Sequence, residues 1–163
     1  VFKSHLDQRY QGLHHVSSHT GIALEAAPTD RSDEILRQLS EPELVDLVAV
    51  DEVQFLDAGI VEVATHLAER GVCVVLAGTD TDFRGEPFGM MGQLMAIAED
   101  VTKLQAICVV CGDLACRNQR LVDGRPARWN SPVVMVGGAD SYEARCRHCF
   151  QVPRRDENQV PLL

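Results

Sequence analysis

Apolar runs of strand length alternate with helix-length amphipathic stretches through the first hundred residues. Val45-Asp46-Leu47-Val48-Ala49-Val50-Asp51 is β-branched and nearly all apolar before its terminal acid, which predicts a strand buried on both faces. Val72-Cys73-Val74-Val75-Leu76-Ala77 has the same character and stops at Gly78. Between them, Ala58 to Arg70 places Ile60, Val61, Ala64, Leu67 and Ala68 at helical spacing, with Gly71 as its stop. Strand, helix and strand in that order predict a βαβ unit, and so an α/β fold around a parallel sheet. Ser32 or Asp30 is placed to cap a further helix running to Leu39. In Gly89 to Glu99 the stripe Met91, Leu94, Met95 and Ile97 reads as core.

From Leu104 the pattern changes to short β-prone pieces and a polar loop, Arg117 to Ser131, rich in Arg, Asn, Gly and Pro. These changes divide the chain into an α/β domain (1–103), a smaller unit (104–152) and a charged, proline-bearing tail (153–163) expected to be partly disordered. With 163 residues, 45% of them hydrophobic, the chain can bury one substantial core plus an appendage, and it contains no run long enough to span a membrane. A net charge of −9 and a pI near 5.0 argue against a nucleic-acid partner, which needs a basic face. No targeting segment is visible, which makes the cytoplasm the default location.

The smaller unit carries two knuckles, Cys108-Val-Val-Cys111 and Cys146-Arg-His-Cys149. Paired Cys-x-x-Cys motifs can close a tetrahedral zinc site. Thirty-four residues separate them, beyond the usual about 15–20, so the metal would anchor a long loop. Two disulfides or a redox dithiol are the competing readings. Structural zinc is favoured because the chain has no secretory signal and cytosolic thiols stay reduced. Four thiolates leave no open position for substrate, which assigns such a metal to folding. Of the two remaining thiols, Cys73 reads as a small buried hydrophobe, and Cys116 is left without a role.

A buried strand ending in Asp51-Glu52 delivers two carboxylates to the carboxyl edge of a parallel sheet, where open α/β folds bind ligands. In nucleotide-processing folds such an acid holds the magnesium of a triphosphate, and a neighbouring acid can act as base. Asp51-Glu52-x-Gln54-Phe55, the loop Phe83-x-x-x-Pro87-Phe88-Gly89, the two knuckles, and Val136-Gly137-Gly138-Ala139-Asp140-Ser141-Tyr142-Glu143-Ala144-Arg145-Cys146-Arg147 follow one another in order. Together they closely resemble the type II thymidine kinase family, from about Val1 to about Phe150.

The resemblance implies a RecA-like, P-loop-type α/β domain joined to a zinc-binding domain whose lasso loop closes over the nucleoside. It implies transfer of the ATP γ-phosphate to the 5′-hydroxyl of thymidine or deoxyuridine with magnesium, by a homotetramer. By position, Glu52 is similar to the family's general base and Asp51 to its magnesium acid. Phe55, Phe83, Phe88 and Tyr142 resemble the walls around base and sugar. Val133, Val134, Met135 and Val136 resemble the lasso segment whose backbone reads the thymine edge. Asp7-x-Arg9-Tyr10 resembles the segment near the phosphates, where Arg9 would offset charge during transfer. Phosphoryl transfer needs mainly positioning and charge neutralisation, which such a set supplies once the phosphates are cradled.

Two departures stand out. The family's phosphate loop, G-x-x-x-x-G-K-[ST], does not occur in the sequence. In the family that loop precedes the strand matched by Val1-Phe2-Lys3, so the expectation is of a chain lacking its N-terminal segment, and a polypeptide starting at Val1 is expected to bind nucleoside poorly and transfer no phosphate. Asn118 stands where the family often has a threonine near the sugar, and its amide can still hydrogen-bond. Other polar residues have plainer readings. His14, His15 and His19 read as solvated loop histidines, and His148 as pointing away from the knuckle. Arg117, Arg120, Arg125 and Arg128, with only Trp129 as an aromatic neighbour, read as a mobile lasso contacting phosphate or a neighbouring subunit rather than a nucleic-acid patch. The rival functions are a non-catalytic nucleoside-binding relative, in which the cradle is truly missing, and a zinc-ribbon interaction module.

Overall fold

The structure is a computed structural model and describes residues 1–6, 14–17, 23–39, 45–135 and 141–153. The chain divides into two compact units, one formed by Val1–Asp80 with Pro87–Val101, the other by Thr81–Glu86 with Thr102–Leu163.

The first unit is built on four parallel strands. In chain order they are β1 (Phe2–Ser4), β4 (Ala27–Thr29), β5 (Leu47–Asp51) and β6 (Cys73–Leu76), arranged β4-β1-β5-β6 across the sheet. A small antiparallel ribbon, β2 (His15–Ser17) with β3 (Ala23–Glu25), lies between β1 and β4 in sequence. Helices α1 (Ser32–Gln38), α2 (Ile60–Glu69) and α3 (Met91–Ile97) complete the unit. The β5–α2–β6 segment is the predicted βαβ unit, with Leu47 beside Cys73 and Val50 beside Leu76. The core gathers Phe2, Ile35, Val48, Val50, Val53, Ile60, Val63 and Leu67, with Met91 and Leu94 from α3.

Several local expectations are corrected. The buried stripe of α2 is Ile60, Val63, Ala64 and Leu67, while Ala68 is exposed. On α3, Met91 and Leu94 are buried but Ile97 is exposed, because the helix ends there. β5 is not covered on both faces. Its even-numbered residues Val48 and Val50 enter the core, whereas Leu47, together with Cys73 and Val75 of β6, is exposed. The cause is the two-residue alternation of a strand combined with the position of β6, which among the described residues is the edge of the sheet. Cys73 is therefore an exposed thiol and not a core residue.

Neither Ser32 nor Asp30 caps α1 with its side chain. Asp57, just before α2, does so from across the unit, its carboxylate accepting Ser32 N–H at 2.9 Å and Ser32 Oγ–H at 2.7 Å. The same carboxylate accepts Gly59 N–H at 2.9 Å at the start of α2. Glu34 reaches back past the start of α1 to accept Thr29 Oγ1–H at 2.8 Å and Asp30 N–H at 3.1 Å.

The second unit is built of short antiparallel pieces: β7 (Ala106–Ile107) with β8 (Leu114–Ala115), and β9 (Arg117–Val122) between β10 (Arg125–Pro126) and β11 (Tyr142–Arg145). Its buried cluster is Cys108, Ala115 and Cys146.

Candidate functional site

In the first unit the candidate residues gather where β5 ends. Asp51 is the last residue of the strand, and its Oδ1 accepts the Glu52 N–H at 2.9 Å. Glu52 turns the chain into a 3₁₀ turn, Val53–Phe55, with φ 52° and ψ 40°, a left-handed conformation rare for a residue with a Cβ. Such a conformation costs roughly 1–3 kcal/mol and persists only when its surroundings enforce it. They do so here: Val53 is buried and donates its N–H to Ala77 O at 3.0 Å, pinning the turn against the end of β6.

Gln54, also buried, holds the Glu52 carboxylate directly. Its Nε2–H donates to Glu52 Oε2, and its Oε1 accepts Thr79 N–H at 3.2 Å. A Cβ on Gly78 would fall 2.3 Å from Gln54 Oε1, and one on Gly89, where φ is +51°, 2.2 Å from Gln54 backbone O. The two glycines thus let the chain run against both sides of this residue. Phe55 and Phe88 meet edge to face with ring centroids 5.4 Å apart at 87°. Lys3 lies beside Asp51 in register between β1 and β5; it is 1% exposed and its Nζ–H donates to His15 O at 3.1 Å.

The second unit gathers the others. Phe83 sits in the turn Thr81–Glu86, which is built around the buried Asp82. Asp82 Oδ1 accepts the N–H groups of Arg84 at 2.8 Å and Glu86 at 3.1 Å, and Oδ2 accepts Arg84 Nε–H at 2.8 Å. Arg84 in turn lies over the ring of Trp129, 5.4 Å from its centroid. Asn118, on β9, pairs with Ala144 of β11 and is half-buried. Tyr142 opens β11 and donates its hydroxyl proton to Met135 O at 2.8 Å. Val133 is half-buried, and Val134 and Met135 are exposed.

Arg120 is not part of a mobile basic loop. It is buried in β9, where its Nε–H donates to Tyr142 Oη at 2.9 Å and its terminal nitrogens to the carbonyls of Pro132 and Val133. Sequence reasoning missed it, along with Gln54's hold on Glu52, Asp82 and Lys3. The available signal was a strand, Arg117 to Val122, with polar residues at positions that must face inward. Arg9 and Val136 lie outside the described residues, as do Asp7, Tyr10 and His19.

The Sγ atoms of Cys108, Cys111, Cys146 and Cys149 all lie within 4.8 Å of one another, Cys111 and Cys146 at 3.6 Å. A tetrahedral zinc with Zn–S of about 2.3 Å requires S···S of about 3.8 Å, so the donor set fits that ion. Burial pushes the Cys108 thiol up, but the amides of Cys146, Cys111 and Val110 outweigh it and hold it at about 6. Hydrogen bonding to Cys146 and Cys111, with burial added, pushes Cys149 up to about 12. Four thiols this close cannot all ionise without a cation among them. His148 is exposed and stands outside the cluster.

A parallel α/β sheet ending in paired carboxylates, with a separate unit whose four clustered thiols fit a metal ion, defines the class of protein. The thymidine kinase family model matches residues 1–150 of the 163. The chain belongs to the thymidine kinase family, and by that membership to the kinases. Among the described residues no helix is long and apolar enough to cross a membrane.

Proposed function

We propose that this protein transfers the γ-phosphate of ATP to the 5′-hydroxyl of thymidine or deoxyuridine, as a nucleotide-salvage enzyme of the cytoplasm. The observation that carries the reading is the end of β5, where a left-handed Glu52 is fixed by Gln54 beside Asp51. Phosphoryl transfer asks for a positioned base and an acid at the metal, and little covalent chemistry.

Glu52 takes the proton of the 5′-hydroxyl as that oxygen attacks in line. Asp51 holds magnesium, which when bound neutralises charge on the phosphates. Arg9 offsets further charge. Phe55 and Phe88 form an aromatic wall in the first unit; Phe83 and Tyr142 do the same in the second. Asn118 hydrogen-bonds near the sugar, and Val133, Val134, Met135 and Val136 read the pyrimidine edge through backbone groups. Zinc on Cys108, Cys111, Cys146 and Cys149 anchors the loop between the knuckles. The first unit is the RecA-like, P-loop-type domain of the reading, and the working assembly is a homotetramer. None of the six cysteines is paired in a disulfide, which fits a reducing compartment.

The test is ATP-dependent phosphorylation of thymidine, deoxyuridine and the other deoxynucleosides by full-length, zinc-loaded protein. Product with the two pyrimidine substrates above the others is the expected result. Zinc-loaded protein inert toward all of them would overturn the reading.

A further inference from the structure

We infer that Arg120 is the positioning residue of the pyrimidine-reading segment, the group that sets the backbone of Pro132 to Met135 before a nucleoside arrives. This rests on the proposed function of Val133 to Val136, and it goes beyond that proposal by naming what fixes their geometry.

Burying a guanidinium is costly unless its donors are satisfied. Arg120 is 2% exposed, and no carboxylate pairs with it among the described residues. Neutral groups fill that place. The flat fork donates to Tyr142 Oη at 2.9 Å, to Pro132 O, and to Val133 O at 2.6 Å. Its central carbon lies 4.1 Å from the Phe83 ring centroid and 5.2 Å from that of Tyr142. Tyr142 passes the constraint on by donating to Met135 O at 2.8 Å.

One side chain therefore ties together three residues proposed to contact nucleoside, Phe83, Val133 and Tyr142, and through Tyr142 a fourth, Met135. They come from three different stretches of chain: the turn around Asp82, the loop after β10, and the start of β11. The carbonyls of residues 132, 133 and 135 are all engaged from the Arg120–Tyr142 side. That fixes the plane of the peptides that follow and saves the ordering cost that binding would otherwise meet. Lysine cannot substitute. An ammonium is a point charge on a flexible stem, without a planar fork to bridge two adjacent carbonyls or a flat face to stack on an aromatic ring.

The experiment compares full-length zinc-loaded wild type, Arg120→Lys and Tyr142→Phe by thymidine KM, ATP KM, kcat and the rate of chymotryptic cleavage between Trp129 and Tyr142. Arg120→Lys is expected to raise the thymidine KM on the order of tenfold, to leave the ATP KM unchanged, and to speed cleavage several-fold with zinc retained. Tyr142→Phe, which keeps the ring, should shift the same two readouts in the same direction by less. A merely structural arginine would lower kcat through loss of folded enzyme and leave the thymidine KM alone, and that pattern overturns the inference. So does an Arg120→Lys protein with wild-type KM and cleavage rate. Should Arg120→Lys lose its zinc, Tyr142→Phe decides: wild-type values there also overturn the inference. If the wild type proves inactive on thymidine, the proposed function falls, and the cleavage rates alone decide whether Arg120 orders the segment.

Discussion

Glu52 combines two features that seldom meet in one residue: a left-handed backbone with φ 52° and a carboxylate held by a buried amide. Glycine would relieve the backbone but forfeit the acid, so the strain at this position is accounted for by the proposed role of the carboxylate and not by any need of the fold. Glu52→Gln is isosteric and should lower kcat by about 10²–10⁴-fold, the usual contribution of a general base, with folding and zinc content unchanged. Near-wild-type turnover would remove Glu52 from that role. Gln54→Leu tests the support behind it. Losing a hydrogen bond to a charged partner is worth about 1.5–3 kcal/mol, so kcat should fall about 10–100-fold. The double variant should be hardly worse than Glu52→Gln alone, because Gln54 acts through Glu52. Fully multiplied losses would show that Gln54 does something separate.

At the scale of elements, the carboxylate of Asp57 is the joint between two helices, since it accepts the first amide of α1 as well as the Gly59 N–H before α2. The Ser32 hydroxyl first, and then the Ser32 and Gly59 amides, hold this carboxyl below its usual range. A depressed folded value means that the stabilisation is complete above the ordinary carboxylate range, about pH 4, and is lost as pH falls through the folded value. Asp57→Ala should therefore cost about 1 kcal/mol at pH 7 in urea unfolding followed by helical circular dichroism, and the gap from wild type should close toward pH 3. A gap that stays constant down to pH 3 would mean that the ionised cap is not its source. The sequence pattern showed α1, α2 and the β5–α2–β6 unit because apolar periodicity is local. It missed Asp57's bond to Ser32, twenty-five residues away, because caps drawn from another element leave no local signature. It also misjudged the cover on β5 and the burial of Cys73, which depend on where a strand lies in the sheet and not on its own composition. Arg120 was hidden for the same reason: a buried arginine and a solvated one look alike until the chain around them is folded. By contrast, the knuckles and the acids at the end of β5 were legible, since metal-ligand spacing and a strand's terminal residues are themselves local.

For the molecule as a whole, the two units draw their stability from different sources. Among the described residues, the sheet unit has thirteen buried apolar residues in one cluster, whereas the other unit's cluster has three, two of them the thiols Cys108 and Cys146, with Phe83 and Ala127 buried outside it. Ile107, Val109, Val110 and Leu114, which a larger core would absorb, stay exposed around the first knuckle. The four-thiol cluster fits a metal ion that would supply the missing stabilisation, since structural zinc contributes on the order of 10 kcal/mol in small knuckle domains. Removing zinc should consequently disorder the second unit and spare the first. Two probes separate them: Trp129 is the chain's single tryptophan and lies in the second unit, while α1, α2 and α3 all lie in the first. Chelation at neutral pH, or Cys111→Ser, should shift Trp129 emission to the red and leave helical circular dichroism nearly intact. Thymidine phosphorylation should disappear with the tryptophan signal, since Val133, Tyr142 and Arg120 share a unit with the four-thiol cluster. Zinc-free protein, verified by elemental analysis, that kept the native Trp129 spectrum would show that the second unit folds without its metal.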